Sequence, residues 1–229
     1  MIGSVQEKRL SNRRDHQRRI QHIVEDYDEW VDEELLDEGD NDTSRKGLRD
    51  KAKDYALLLA PVVVGSFYRQ NMYGDLGTRI RVNNTANSLI NDYEKLFAGI
   101  LTDSLGIIRE TSVDPETYKD LRAEGASTAE ALQIADTSNV KNYAPLSERQ
   151  LELGLQNREA QIQATADYDY MTNLKDDNGD KVVYYKRWDW SQLENTRHSL
   201  MDGDVVEVDE PFQVYNEVAD ITEEGMFPS

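Results

Sequence analysis

The sequence predicts an α+β protein, with a mainly helical N-terminal and central body and a small C-terminal module that contains a β-hairpin. Three observations carry this expectation. Apolar residues recur every three or four positions from Leu48 to Leu59 and from Val82 to Leu101, the period of a helix with one buried face. After residue 172 the pattern changes to short runs rich in Val, Tyr and Trp, set between Asn-Gly and Asp-Gly turns. The longest apolar run, Ala56–Gly65, contains a proline and falls short of the roughly 20 residues that a bilayer span needs.

Residues 1–44 read as a charged helical arm. Lys8, Arg9, Arg13, Arg14, Arg18 and Arg19 make a basic stretch, and Glu25–Asp42 holds eleven acids and no base. Trp30, Val31, Leu35 and Leu36 sit inside the acidic block at spacings that fit one helical stripe. Two readings follow. Either this is a helical hairpin or arm whose oppositely charged halves attract, or the basic half touches DNA or an acidic partner while the acidic half faces elsewhere. His16 and His22 fall in the basic part and read as solvated or capping, and Gly39–Ser44 reads as a loop.

Residues 45–146 read as a helical body. Leu48, Ala52, Tyr55 and Leu59 share one face of a helix over Arg45–Ala60, which Pro61 is expected to break or kink. Pro61–Tyr73 fits either helix or strand. Val82, Ala86, Leu89, Ile90, Tyr93, Leu96, Phe97, Ile100 and Leu101 describe about six turns of helix with one broad apolar face. That face reads first as core. Its members Val82, Leu89, Tyr93, Leu96, Phe97 and Ile100 are also the candidate surface for a partner helix. Asp114 is placed to cap a helix with Pro115 at its first position, and Gly125 to end it. Ser127 and Glu130 have the spacing of a capping box that opens Thr128–Ala135.

Residues 147–229 read as one long helix plus a β module. The helix starts at Ser147 and carries Leu151, Leu155, Ile162, Tyr168 and Met171 to about residue 172. Asp176-Asp177-Asn178-Gly179 is a turn sequence. In the strand Lys181–Trp190, alternation places Val183, Tyr185 and Arg187 on one side and Val182, Tyr184, Lys186 and Trp188 on the other. Asp202-Gly203 makes a second turn and Val205–Val208 a second strand, which Pro211 ends.

Composition excludes several classes of chemistry. The chain has no cysteine, which removes disulfides, zinc fingers and thiol catalysis. A net charge of −19 argues against a chain-wide coat on nucleic acid, because binding phosphate requires surplus cations. Met1–Leu10 has no apolar core, so an acidic protein made inside the cell is expected, with no membrane span. Gly74 and Gly77 lack the lysine and spacing of a phosphate loop. Asp176, Asp177, Asn178 and Asp180 begin like a calcium loop, but the twelfth position is Arg187 where a glutamate is needed. Asp202, Asp204, Glu207, Asp209 and Glu210 suit a divalent ion, yet acids along an edge strand usually serve to block edge pairing. No catalytic residue, metal or cofactor is expected.

One constellation is more specific. Trp188, Thr196-Arg197-His198, Asp202-Gly203-Asp204-Val205-Val206, Asp209-Glu210-Pro211-Phe212 and Gly225-Met226-Phe227-Pro228 follow one another in order. The series resembles the C-terminal signature of the Mu F-like minor head proteins of tailed phages, the phage head morphogenesis family. There, a tryptophan strand leads through a Thr-Arg segment and a His-x-x-x-Asp-Gly turn to a valine strand and a Pro-Phe. Gly125–Ala135 and Arg158–Tyr168 also resemble that family's helices, so the likeness covers roughly residues 115–229. Two features depart from the pattern: His198 follows Arg197 directly, and the cysteine-containing tail of many members has no counterpart here.

The residues also have a structural reading of their own. Gly203 supplies backbone freedom and Asp202 bonds to nearby amides, while Arg197 suits a carboxylate and His198 orients the turn. Trp188 and Phe212 would form a small hydrophobic centre. The resemblance implies a virion structural protein in the capsid interior or at the portal vertex, assembled in the host cytoplasm. It would act by binding in head assembly, genome packaging or DNA delivery. Its partners would be the portal protein, the major capsid protein and packaged double-stranded DNA, with several copies around the portal. Two other expectations stand beside it: a head–tail adaptor or scaffold-like protein, and a transferase- or hydrolase-like enzyme module.

Overall fold

From Ile2 to Leu36 the sequence has no proline and one glycine, and most of its residues are good helix formers, so nothing local interrupts a helix. In the computed structural model, which describes residues 2–36, 45–176, 178–187, 203–216 and 221–225, these residues form a single 35-residue helix, α1 (Ile2–Leu36). Of the two shapes expected for this segment, hairpin or arm, the described residues form the arm: the basic stretch and the described part of the acidic stretch lie end to end along one axis. The rod is held by a stripe at helical spacing: His16, Ile20, Ile23, Tyr27, Trp30 and Val31 are all buried. His16, read as solvated, is only 2% exposed. Its Nδ1 lies 2.9 Å from Glu159 Oε2, at an angle too oblique for a hydrogen bond. His22 is exposed.

Helix α2 (Arg45–Ser66) buries Leu48, Ala52, Tyr55 and Leu59 as their spacing predicts. It continues through Pro61 into Val62 and Val63, which settles the helix-or-strand question there in favour of helix. The helix passes because Pro61 and Leu57, whose carbonyl loses its donor, are on the exposed side, where water can serve that oxygen. On the inner side α1 bonds α2 directly: Arg19 Nη1 donates to the Leu58 carbonyl at 2.8 Å, and Asn12 Nδ2 to the Val62 carbonyl at 3.2 Å and Ser66 Oγ at 3.3 Å. A short helix, α3 (Tyr68–Tyr73), follows the buried Phe67.

Helix α4 (Leu76–Glu110) starts on the Asp75 side chain, which accepts from the Thr78 amide at 2.7 Å. At 35 residues it is longer than the expected six turns, since no breaker occurs between that cap and Thr111. It packs against α2, with Tyr55 edge-on to Phe97 at 5.3 Å between ring centroids. Tyr27 of α1 shares a 2.6 Å hydrogen bond with the buried Ser104.

The next helices match their sequence signals. In α5 (Pro115–Ala123) Asp114 accepts from the Thr117 amide. Gly125, at φ +91°, closes the helix through amide bonds from Ala126 to Leu121 and from Gly125 to Arg122, the paired bonds of a Schellman motif. In α6 (Thr128–Ala135) the Ser127–Glu130 capping box is complete. A 3₁₀ turn over Ala144–Leu146 leads to α7 (Glu148–Asn173), which buries Leu151, Leu155 and Ile162.

The described C-terminal strands form two antiparallel pairs. β1 (Tyr185–Arg187) pairs with β2 (Val205–Glu207), with Tyr185 opposite Glu207 and Arg187 opposite Val205. β3 (Phe212–Asn216) pairs with β4 (Ile221–Gly225), a hairpin that the sequence reading did not anticipate. The protein is thus α+β and mainly helical. The chain forms two compact units, Met1–Gln163 and Ala164–Ser229; α1 belongs to the first, and α7 runs from the first into the second. No helix among the described residues is long and apolar enough to cross a membrane.

At Gly65 of α2 an added Cβ would collide with Asn12 Oδ1 of α1. Gly65→Ala should therefore displace Asn12 from its two bonds and cost about 1 kcal/mol in urea denaturation. In an Asn12→Ala background the same change should instead stabilise, because only the helix-propensity gain remains. Simple additivity of the two substitutions would contradict this account.

Candidate functional site

Of the C-terminal series, Trp188, Thr196, Arg197, His198 and Asp202 lie outside the described residues. Gly203, Pro211 and Phe212 lie within them. Gly203 has φ +91°, a conformation that a side chain would strain, in the turn that leads into β2. After β2 the chain turns through a Glu210-to-Glu207 bond, and Pro211 releases it into β3. Phe212 is 2% exposed and Val208 3%, so both are core of the second unit. Lys186 Nζ lies 5.1 Å from the centroid of the Phe212 ring. Burial lowers the Lys186 pKa despite the pull of Asp209 and Glu210. The alternation of Lys181–Arg187 is as expected: Val183, Tyr185 and Arg187 are exposed, while Val182, Tyr184 and Lys186 are half-buried.

Asp176, the first residue of the calcium-like run, is engaged by its own turn. Its Oδ1 accepts from the Asn178 and Asp180 amides at 2.9 and 2.8 Å. These bonds, the Asp180 one foremost, hold its carboxyl below the ordinary value. Lys181 Nζ pairs with Asp209 at 2.5 Å, which occupies one of the acids suggested for an ion. Among the described residues no group of three or more His, Asp or Glu is placed to hold a metal.

The basic residues of α1 divide. Lys8, Arg13, Arg14 and Arg18 are exposed, and the Arg9 side chain lies outside the described residues. Arg19 is half-buried and committed to Asp15 at 2.9 Å and to the Leu58 carbonyl. Arg14 and Arg18 line a groove of about 620 Å³ between α1 and the start of α7. The candidate partner face divides too. Val82, Tyr93 and Phe97 are buried within the first unit, Leu89 and Ile100 are half-buried, and Leu96 is 38% exposed. Much of that face is therefore covered by this chain itself.

The most connected polar site was not found from the sequence. Arg122 of α5 bonds the Asp28 carboxylate through Nη2, both Asp32 oxygens through Nε at 3.0 and 3.1 Å, and the Ala126 carbonyl through Nη1 at 2.6 Å. Asp28 also accepts from Thr128 at 2.6 Å, and Asp32 from Tyr118 at 2.7 Å. Glu148 stands third in line, its Oε1 3.9 Å from Arg122 Nη1. Burial raises the Asp32 pKa against the pull of Tyr118 and Arg122. It also raises that of Tyr118, whose proton is held by Asp32. A second site lies on another side of α1, facing α2. Asp26 accepts from Lys51 at 2.6 Å and from Tyr55 at 2.5 Å; burial opposes its charge, but these bonds keep the carboxyl below its usual value.

The spacing of Asp28 and Asp32 puts them on one helical face, which was legible. Their partner is some ninety residues away and has no sequence signal. The arrangement ties α1 to α5 and α6 through charge-assisted bonds.

The chain matches no family model, no curated protein and no solved structure.

Because Asp28 and Asp32 are less than one-third exposed, removing their cation leaves both charges poorly solvated. Arg122→Ala should cost about 3 kcal/mol of stability in urea denaturation. Arg122→Lys should recover only part, because an ammonium cannot reproduce the guanidinium fork. Full recovery by lysine would show that simple charge suffices.

Proposed function

We propose that the chain is a phage virion structural protein of the minor head type, located at the portal vertex or in the capsid interior and acting by binding. The observation that carries the reading is the ordered C-terminal series from Trp188 through Arg197, His198 and Asp202-Gly203 to Pro211-Phe212. Its described members support the same reading. Gly203 shapes the turn before β2, Pro211 lies between the two strand pairs, and Phe212 fills the core of the second unit. Each has a structural role that needs no substrate.

The partners in this proposal are the portal protein, the major capsid protein and packaged double-stranded DNA. Contact with DNA belongs to the exposed cations Lys8, Arg13, Arg14 and Arg18. Residues 147–229 carry 19 acids against 7 bases, so that segment is repelled by DNA and faces protein or solvent.

Two measurements test the proposal. The protein should copurify with portal protein from procapsids, and quantitative mass spectrometry should place it there in defined copies. Its absence from both procapsid and virion would refute the assignment. Replacing Arg13, Arg14 and Arg18 with glutamine should lower the magnitude of the slope of log affinity for duplex DNA against log salt by about 2 to 3. An unchanged slope removes the arm from DNA contact.

A further inference from the structure

One guanidinium serves three carboxylates where the start of α7 meets α1 and α5. Arg122 spends Nη2 on Asp28, Nε on Asp32 and one Nη1 proton on the Ala126 carbonyl. Glu148 is approached by Nη1 at 3.9 Å, beyond hydrogen-bond distance. With all four groups ionised the cluster would carry a net charge of −2 in a site where each side chain is about a third exposed or less. Glu148 is the member whose charge is least compensated.

The surroundings of Glu148 sharpen the imbalance. From α1 it is faced by Asp28 and Asp32, and beside it the groove between α1 and α7 holds Arg14, Arg18 and Glu25. From α5 it is faced by Arg122, and on its own helix Glu152 lines the same groove. The arginines of the groove are exposed, so solvent weakens their help. The amide dipoles in the first turn of α7 favour a charged Glu148, which opposes the effect of Asp28. Burial, followed by the Asp28 carboxylate, which can hold the Glu148 proton, outweighs these and pushes Glu148 up to about 7.

We propose that a proton held on Glu148, the least compensated carboxylate of the cluster around Arg122, is a latch that fastens the first turn of α7 to α1 and α5, and that losing this proton loosens the turn. The position gives the latch its consequence. Glu148 is the first residue of the helix that runs from the first compact unit into the second. A change in the anchoring of this turn changes how firmly that helix is held where it begins.

The direction with pH follows from linkage. Fastened, Glu148 holds its proton up to about pH 7; released into water it would lose it near the ordinary glutamate value. The latch is therefore strongest below the ordinary value, weakens as pH rises through the interval up to about 7, and changes no further above it.

The full chain provides the test. In carbon-detected NMR the Glu148 carboxyl, assigned by its loss in Glu148→Gln, should titrate near neutrality. Hydrogen exchange of the first two turns of α7, taken as the ratio of wild type to Glu148→Gln at each pH, should rise about tenfold or more between pH 5 and 7 and then level off. The ratio cancels the intrinsic pH dependence of exchange. If Glu148→Gln does not fold, Asp28→Asn replaces it, and the Glu148 midpoint should then fall toward the ordinary range. An ordinary midpoint in the wild type, or an exchange ratio that stays flat across this interval, would overturn the latch. Neither result bears on the proposed virion role.

Discussion

A 35-residue helix with few apolar residues can hold its place only if something fixes its rotation as well as its depth, and in this protein carboxylates on α1 do so. The stripe from His16 to Val31 gives α1 its burial, but apolar contact alone tolerates small shifts of a rod along its neighbours. Asp26, Asp28 and Asp32 do not. Asp26 is held by Lys51 and Tyr55 of α2, Asp28 by Arg122 and Thr128, and Asp32 by Arg122 and Tyr118. Rotating α1 by one residue, about 100°, would break all three sets together. Such pairs gain little net stability after desolvation. Their contribution is register, and the positions of α2, α5 and α6 follow from it.

This explains how acids of so dense a block can take part in packing α1 against other helices. Read as composition, Glu25–Asp42 is a self-repelling surface. Among its described members some are exposed and others are bonded to distant residues. Glu25 and Glu29 face solvent, while Asp26, Asp28 and Asp32 turn toward donors from other helices. Repulsion within the block is relieved by cations from distant parts of the chain, and sequence distance conceals them.

What could be read in advance was whatever depends on bonds spanning a few residues. The Asp114 cap, the Ser127–Glu130 box, the Gly125 stop and the turn at Gly179 all close within about five positions, so their residues carry the whole signal. The continuation of α2 through Pro61 was not legible, because it depends on the proline and the Leu57 carbonyl lying on the solvent side, which only the packing of the helix decides. Neither was Arg122, whose partners are some ninety residues away. The burial of His16 is a different kind of miss. The spacing 16, 20, 23, 27, 30 was present in the sequence, and the density of charge around it obscured the period.

The internal use of Arg19 also constrains the proposed contact with DNA. With Arg19 committed to Asp15 and Leu58, the four exposed cations Lys8, Arg13, Arg14 and Arg18 extend over ten residues of helix, about 15 Å of axis. That length and charge suffice for only a few phosphates, too few to hold the protein on DNA at physiological salt. An acidic chain with so few exposed cations on this helix would be concentrated near a genome by a protein partner, with DNA contact adding orientation. In the proposed function the portal has to supply the location. The surfaces to examine for it are apolar side chains that this chain leaves uncovered, such as Leu57 and Val64 on the outer side of α2 and Leu76 and Ile80 at the start of α4. The core face of α4 is less suited, because α2 already covers its aromatic centre at Phe97.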